Sequence, residues 1–208
     1  MMAPSSLKLV YNRIAWLYDG LRPLWVGRET ERALDALLNE TLRGSSHVLD
    51  LGCGTGANLK RIMKQGGGFA TYLGIDHSEH MLERAARTCH SGSRITWSVA
   101  DLTQPLAFHR SFDLILCTWM LSHLSEPGQL VSRAEALLSP GGTAAFLFFS
   151  PPHSRLHEHL TSWFMRLVQC ARIDPAQLKE CPSLDRIERF CGGAASLVVL
   201  RKSTSKQV

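Results

Sequence analysis

The chain has 208 residues, 45% of them apolar and 20% charged, the proportions expected of one soluble globular domain with a core of its own. A net charge of +5 and a pI of about 9.0 suit an anionic surface or an acidic ligand, but no run of lysine and arginine forms an arm for nucleic acid. The longest apolar runs, such as Ala144–Phe149, are too short to span a bilayer, the N-terminus lacks a signal-peptide pattern, and six cysteines with no C-x-x-C pair read as reduced thiols of a cytoplasmic protein.

Residues 5–18 read as a helix, with Leu7, Val10, Ile14 and Leu17 at helical spacing and Ser5 or Ser6 as a cap. Leu21-Arg22-Pro23 breaks it, and a second helix is predicted over Glu29–Leu42. The rhythm then alternates. His47–Leu51 reads as a strand, Ala57–Gln65 as a helix, Thr71–Ile75 as a strand, Glu79–Cys89 as a helix and Arg94–Val99 as a strand. Phe112–Cys117 and Thr143–Phe149 are apolar strands separated by a helix over Pro127–Leu138, which Pro140-Gly141-Gly142 stops. Continuous apolar strands separated by helices predict an α/β fold, a doubly wound and mostly parallel sheet, with an N-terminal helical lid. A long helix over Ser154–Ala171, a short helix over Ser183–Phe190 and a last strand over Ser196–Leu200 complete it. The whole reads as a single domain: a lid over 1–44, a core over 45–150, C-terminal helices and strand over 151–202, and a tail over 203–208.

The central motif is Val48-Leu49-Asp50-Leu51-Gly52-Cys53-Gly54-Thr55-Gly56. A strand delivers the chain to a turn of alternating glycines, which permits positive φ and close approach of a ligand to the backbone. The following helix turns its free N–H groups toward that ligand. Gly52, Gly54 and Ala57 also satisfy the looser dinucleotide pattern G-x-G-x-x-A, so the glycines alone leave a methyltransferase and a nicotinamide or flavin oxidoreductase as candidates. Asp50 favours the first, because a carboxylate there attracts an ammonium group and repels a pyrophosphate. Asp76, at the end of the second strand, can accept from both ribose hydroxyls in either case. Asp101, in Val99-Ala100-Asp101-Leu102, can accept from an adenine amino group while the N–H of Leu102 reaches a ring nitrogen.

The order and spacing of Asp50–Gly56, Asp76, Ala100-Asp101, Phe112–Ile115 and Leu138–Gly142 resemble the class I, Rossmann-like methyltransferases that use S-adenosylmethionine and release S-adenosylhomocysteine. The resemblance is close over Val48–Phe149, and Tyr11–Ala15 through Tyr18-Asp19 resembles the start of the quinone-biosynthesis and phospholipid N-methyltransferase branch. It implies that Gly52, Cys53, Gly54 and Gly56 line the methionine part, with Cys117 at its amino-acid end. It also implies Asp76 at the ribose, Asp101 and Leu102 at the adenine, His77 and Met81 among the other cofactor contacts, and Tyr11 and Tyr18 over the cofactor. That family ends in an antiparallel strand pair. Only Ser196–Leu200 is evident here, so the sheet is expected to lack its outer edge strand.

His123, just beyond the fourth strand, is the candidate general base, although packing or capping a helix is the reading its neighbours favour. Trp119 and Tyr18 are candidates for the substrate pocket, the other tryptophans for core. His153, His157 and His159 read as a solvated face rather than a metal site, and the spacing of Cys170, Cys181 and Cys191 does not resemble a metalloid site. No metal is expected. A fold that binds S-adenosylmethionine without catalysis stays open. The acceptor is expected to be a small apolar or membrane-associated molecule, a lipid amine or a quinone-like ring, with a soluble small molecule as the alternative. Lys8, Arg13, Arg22 and Arg28 beside apolar residues and Trp25 suit peripheral contact with an anionic membrane.

Overall fold

A computed structural model describes residues 28–204 apart from 90, 91, 106, 107, 109, 168 and 180. The expected helix of residues 5–18, and Tyr11 and Tyr18 with it, lies outside the described residues. Helix α1 runs over 28–41. The apolar runs then form β1 (His47–Leu51), β2 (Thr71–Asp76), β3 (Ile95–Val99), β4 (Phe112–Thr118) and β5 (Leu138–Phe149). Between them lie α2 (Ala57–Lys64), α3 (Glu79–Thr88) and α4 (Pro127–Ala136). Helix α5 (Arg155–Leu167), β6 (Leu184–Phe190) and β7 (Ala195–Arg201) follow.

The seven strands make one sheet in the order β3-β2-β1-β4-β5-β7-β6. The first five are mutually parallel; β7 runs antiparallel to β5, and β6 to β7. Chain order reverses between β1 and β4, the place where open α/β sheets present a crevice at the carboxyl ends of their strands. Both faces are covered. Leu34, Leu37 and Leu38 of α1, Leu59 and Ile62 of α2 and Met165 of α5 pack on one face. Leu130, Val131 and Ala134 of α4, with Ile173 and Leu178, pack on the other. Each fully buried leucine or isoleucine contributes about 1.5–3 kcal/mol, which is why β1, β4 and β5 carry unbroken apolar runs.

Three elements differ from expectation. Ser183–Phe190 is not a helix, and the sheet does not lack its edge: β6 is that strand. Leu184, Ile187 and Phe190 recur every three residues, which mimics a helix. A bulge between Leu184 and Arg186 shifts the alternation, so Leu184 and Ile187 face the same core despite their odd spacing. Pro140-Gly141-Gly142 does not end a helix but lies inside β5, where the pairing with β4 jumps from Leu138 to Thr143. Helix α5 stops at Leu167 rather than Ala171, because Gln169 is left-handed (φ 52) and the Cys170 N–H returns to the Met165 carbonyl at 3.0 Å.

One close fit crosses β2 and β3. The Trp97 indole lies over Gly74, 2.5 Å from where a Cβ would stand, and its edge meets the Tyr72 ring at 5.6 Å.

Candidate functional site

The turn after β1 is built from three left-handed glycines, with φ 74 at Gly52, 52 at Gly54 and 78 at Gly56. They do different work. A Cβ at Gly52 would stand 2.7 Å from the Met120 side chain, and one at Gly56 would meet Cys89 Sγ at 3.1 Å and Trp97 at 3.2 Å. At Gly54 a Cβ would meet no atom of the described residues within 4 Å. Gly52 and Gly56 therefore serve packing, and Gly54 is the floor of an open cradle at the start of α2.

Asp76 closes the cradle from β2. Its carboxylate accepts the Gly54 N–H at 3.0 Å and the Ser78 N–H at 2.9 Å, with His77 Nδ1 at 3.4 Å, so loop and strand end hold one geometry. Met81, buried below, donates its N–H to the Ser78 hydroxyl that caps α3. At the end of β3, Asp101 is exposed and accepts from the Thr103 N–H and hydroxyl, both on Oδ1, which holds its carboxyl below the usual carboxylate range. Leu102 is buried beside it.

Asp50 is not at the surface of the cradle. It is fully buried, accepting from the Tyr72 hydroxyl at 2.5 Å and from Asn58 Nδ2 at 3.0 Å. Asn58 also donates to Thr118 Oγ1 at 3.1 Å. Burial pushes the Asp50 carboxyl up to about 6, opposed by the Tyr72 and Asn58 bonds and reinforced by the charge of Asp76. Cys53 is buried, its N–H bonded to the Ile75 carbonyl at 2.9 Å. Cys117 is fully buried in the core that packs against α4, while Thr118, one residue on, reaches Asn58. The sequence alone does not single out Asn58, Tyr72, Thr118 or Met120 as site residues. Only Asn58 had a signal, a buried polar residue on the apolar side of α2.

After β4, Trp119 adopts φ 67, rare for a bulky residue, and its buried ring lies 4.9 Å from that of Phe149. The chain then makes a tight turn at Leu121–His123. The Ser122 hydroxyl accepts from the Phe149 N–H at 3.1 Å, and its carbonyl from the Ala171 N–H at 2.7 Å. His123 Nε2 lies 3.3 Å from Cys170 Sγ. Burial holds the imidazole down to about 4, against a hydrogen bond to the Gln169 backbone, so it is neutral at physiological pH. The same burial pushes the Cys170 thiol up to about 12, an unreactive thiol. His153 packs on Gly193, and Cys181 donates to Glu135 at 3.2 Å, so neither joins His123.

Residues 48–142 match the model of a methyltransferase domain. Over that segment the chain is similar to methyltransferase domains, and the order of its sheet is that of the class I, Rossmann-like methyltransferase fold. Over 151 residues it is 30% identical to a demethylmenaquinone methyltransferase of Tropheryma whipplei, covering 71% of this chain and 61% of that protein. Over 111 residues it is 33% identical to a ubiquinone biosynthesis O-methyltransferase of Coxiella burnetii, covering 53% of this chain and 44% of that one. The chain thus spans less than two thirds of the length of these relatives. Among solved structures, an S-adenosylmethionine dependent methyltransferase from Mesorhizobium loti superposes with a TM-score of 0.65 at 24% identity, over 82% of this chain and 96% of that one. This likeness is one of fold. No helix among the described residues is long and apolar enough to cross a membrane.

Proposed function

We propose that this methyltransferase domain binds S-adenosylmethionine and directs its methyl group to a quinone-like ring, at carbon or hydroxyl oxygen. The observation that carries the reading is the open floor at Gly54 beside the buried Asp76 carboxylate, a cradle shaped for a ligand that brings hydroxyl donors and positive charge. The names of the matched relatives point to ring acceptors of quinone biosynthesis. When bound, the cofactor supplies an electrophilic methyl group.

The chain's own residues align, shield and take a proton. The carboxylate of Asp76 accepts from the ribose hydroxyls, and Asp101 with the Leu102 N–H reads the adenine. Asp50, through Asn58 and Thr118, sets a negative potential under the amino-acid end. Neutral His123 accepts the proton released by the acceptor. An apolar acceptor reaches the site from an anionic membrane surface through the basic segment 1–28.

The test is incubation of the purified chain with labelled S-adenosylmethionine and a reduced naphthoquinone or a phenolic ring. Methylated ring and S-adenosylhomocysteine are the expected products. Tight cofactor binding with no turnover on any ring would leave a binding protein. Preference for NADH over S-adenosylmethionine would overturn the reading altogether. Salt-sensitive co-sedimentation with anionic vesicles, lost on removing residues 1–28, checks the membrane step.

A further inference from the structure

The two edges of the sheet are finished differently. On β6, Asp185, Arg186, Glu188 and Arg189 occupy four of seven positions, a bulge interrupts the strand, and Arg186 bonds Asp185 and Glu188 on its own strand and Glu40 from α1. Charge and bulging of this kind keep an edge from pairing with another chain. Strand β3, Ile95-Thr96-Trp97-Ser98-Val99, has no charge, no proline and no bulge, and Val99 is 57% exposed.

Among the described residues no strand pairs with the outer side of β3, where only the Ile95 N–H is taken, by the Gly92 carbonyl at 3.0 Å. The Arg94 carbonyl accepts from the Tyr72 N–H, and the Ala100 N–H donates to the Asp76 carbonyl, so even-numbered residues bond to β2. The main-chain groups of Ile95, Trp97 and Val99 therefore point away from the sheet. Among the described residues no strand lies beyond β3.

We propose that β3 is a dimerisation edge, pairing antiparallel with β3 of a second copy about a two-fold axis at Trp97. That register is self-complementary. Trp97 stands opposite the partner's Trp97, and Ile95 opposite the partner's Val99, so the outward N–H and carbonyl of Trp97 meet their counterparts and the Val99 N–H meets the Ile95 carbonyl. Val99 gains a β-branched cross-strand neighbour. Arg94, whose guanidinium bonds the Phe69 carbonyl at 3.1 Å, lies one residue from the position opposite the partner's Asp101, with the reciprocal pair at the other end. Opposite charges thus flank an uncharged centre, and like charges are kept apart. The joined sheet runs continuously through both copies and leaves the two cradles at its opposite ends.

The test uses the full chain without ligand. Sedimentation equilibrium and light scattering should give the mass of two chains at high concentration, and the Trp97 and Val99 amides should exchange more slowly there than on dilution. Val99→Pro removes one outward N–H while leaving the bonds to β2 in place, and Val99→Lys puts like charges on the pairing edge; each should halve the mass. Circular dichroism checks that Val99→Pro folds, and if it does not, Val99→Lys decides. A single-chain mass at every concentration would overturn the proposal, as would a dimer that folded variants leave intact.

Discussion

The Tyr72 hydroxyl donates to Oδ2 of Asp50 across the pairing of β1 with β2, at 2.5 Å and with both side chains fully buried. The acid of the glycine motif is therefore held inside the protein rather than offered to solvent.

This placement has a pH signature. The Asp50 pKa is raised from 3.8 to about 6, so its contribution to stability is complete below pH 3.8 and is lost as pH rises through 6. Above that, the ionised group burdens the ligand-free fold by about 3 kcal/mol. Asp50→Asn should raise the melting temperature at pH 8 while weakening S-adenosylmethionine binding, as measured by calorimetric scans and titration. Tyr72→Phe should do the reverse to stability, costing about 1–3 kcal/mol at pH 8 by leaving the carboxylate short of a donor. A melting temperature for Asp50→Asn that falls at pH 8 would show that the ionised form is not a burden.

His123 should tilt stability the other way. Its pKa is lowered from 6.5 to about 4, so its contribution is present above pH 6.5 and lost as pH falls toward 4. His123→Gln should flatten the acid limb of the stability profile. With a ring hydroxyl acceptor it should also lower kcat by about 10²–10⁴-fold. A flattened limb with unchanged kcat would leave His123 as a packing residue.

Asp76→Ala should weaken S-adenosylmethionine binding by about 1.5–3 kcal/mol, read by isothermal titration. It should also loosen the loop, because the Gly54 and Ser78 N–H groups lose their acceptor. Asp76→Asn keeps one acceptor oxygen and should recover part of the stability but less of the affinity. Equal affinity in all three proteins would remove Asp76 from the site.

The glycines should separate by role. Gly54→Ala costs only left-handed strain, about 1–2 kcal/mol, because no atom of the described residues meets the new methyl group, yet it should greatly reduce cofactor binding. Gly52→Ala drives a methyl group into Met120, and Met120→Ala in the same chain should restore part of its stability. Thermal melts of the single and double variants, with titration of each, test both statements. Cofactor affinity unchanged in Gly54→Ala would mean that the open floor faces no ligand.

Much of this was written locally in the sequence. The apolar runs of β1, β4 and β5 need cover on both faces, and three alternating glycines after a strand admit few turns. What could not be read depends on distant pairings. Asp50 is as compatible with a surface carboxylate as with a buried one until Tyr72, 22 residues away, is known to lie beside it. Cys117 and Thr118 exchange faces with a one-residue difference in register, so strand assignment alone did not say which reaches the cradle. Strand β6 hid for a different reason: a bulge spends one residue without advancing the alternation, and the resulting spacing of three belongs equally to a helix.

The contact between Trp97 and Gly74 restricts how this lineage can change. With the indole 2.5 Å from any Cβ at position 74, an alanine there has no place until residue 97 shrinks, whereas a smaller residue 97 is accommodated beside glycine at once, at the cost of a void. The two substitutions are therefore accessible in one historical order and nearly closed in the other. Aligned descendants should show the pair moving together, with small residues at 74 accompanied by loss of the indole at 97.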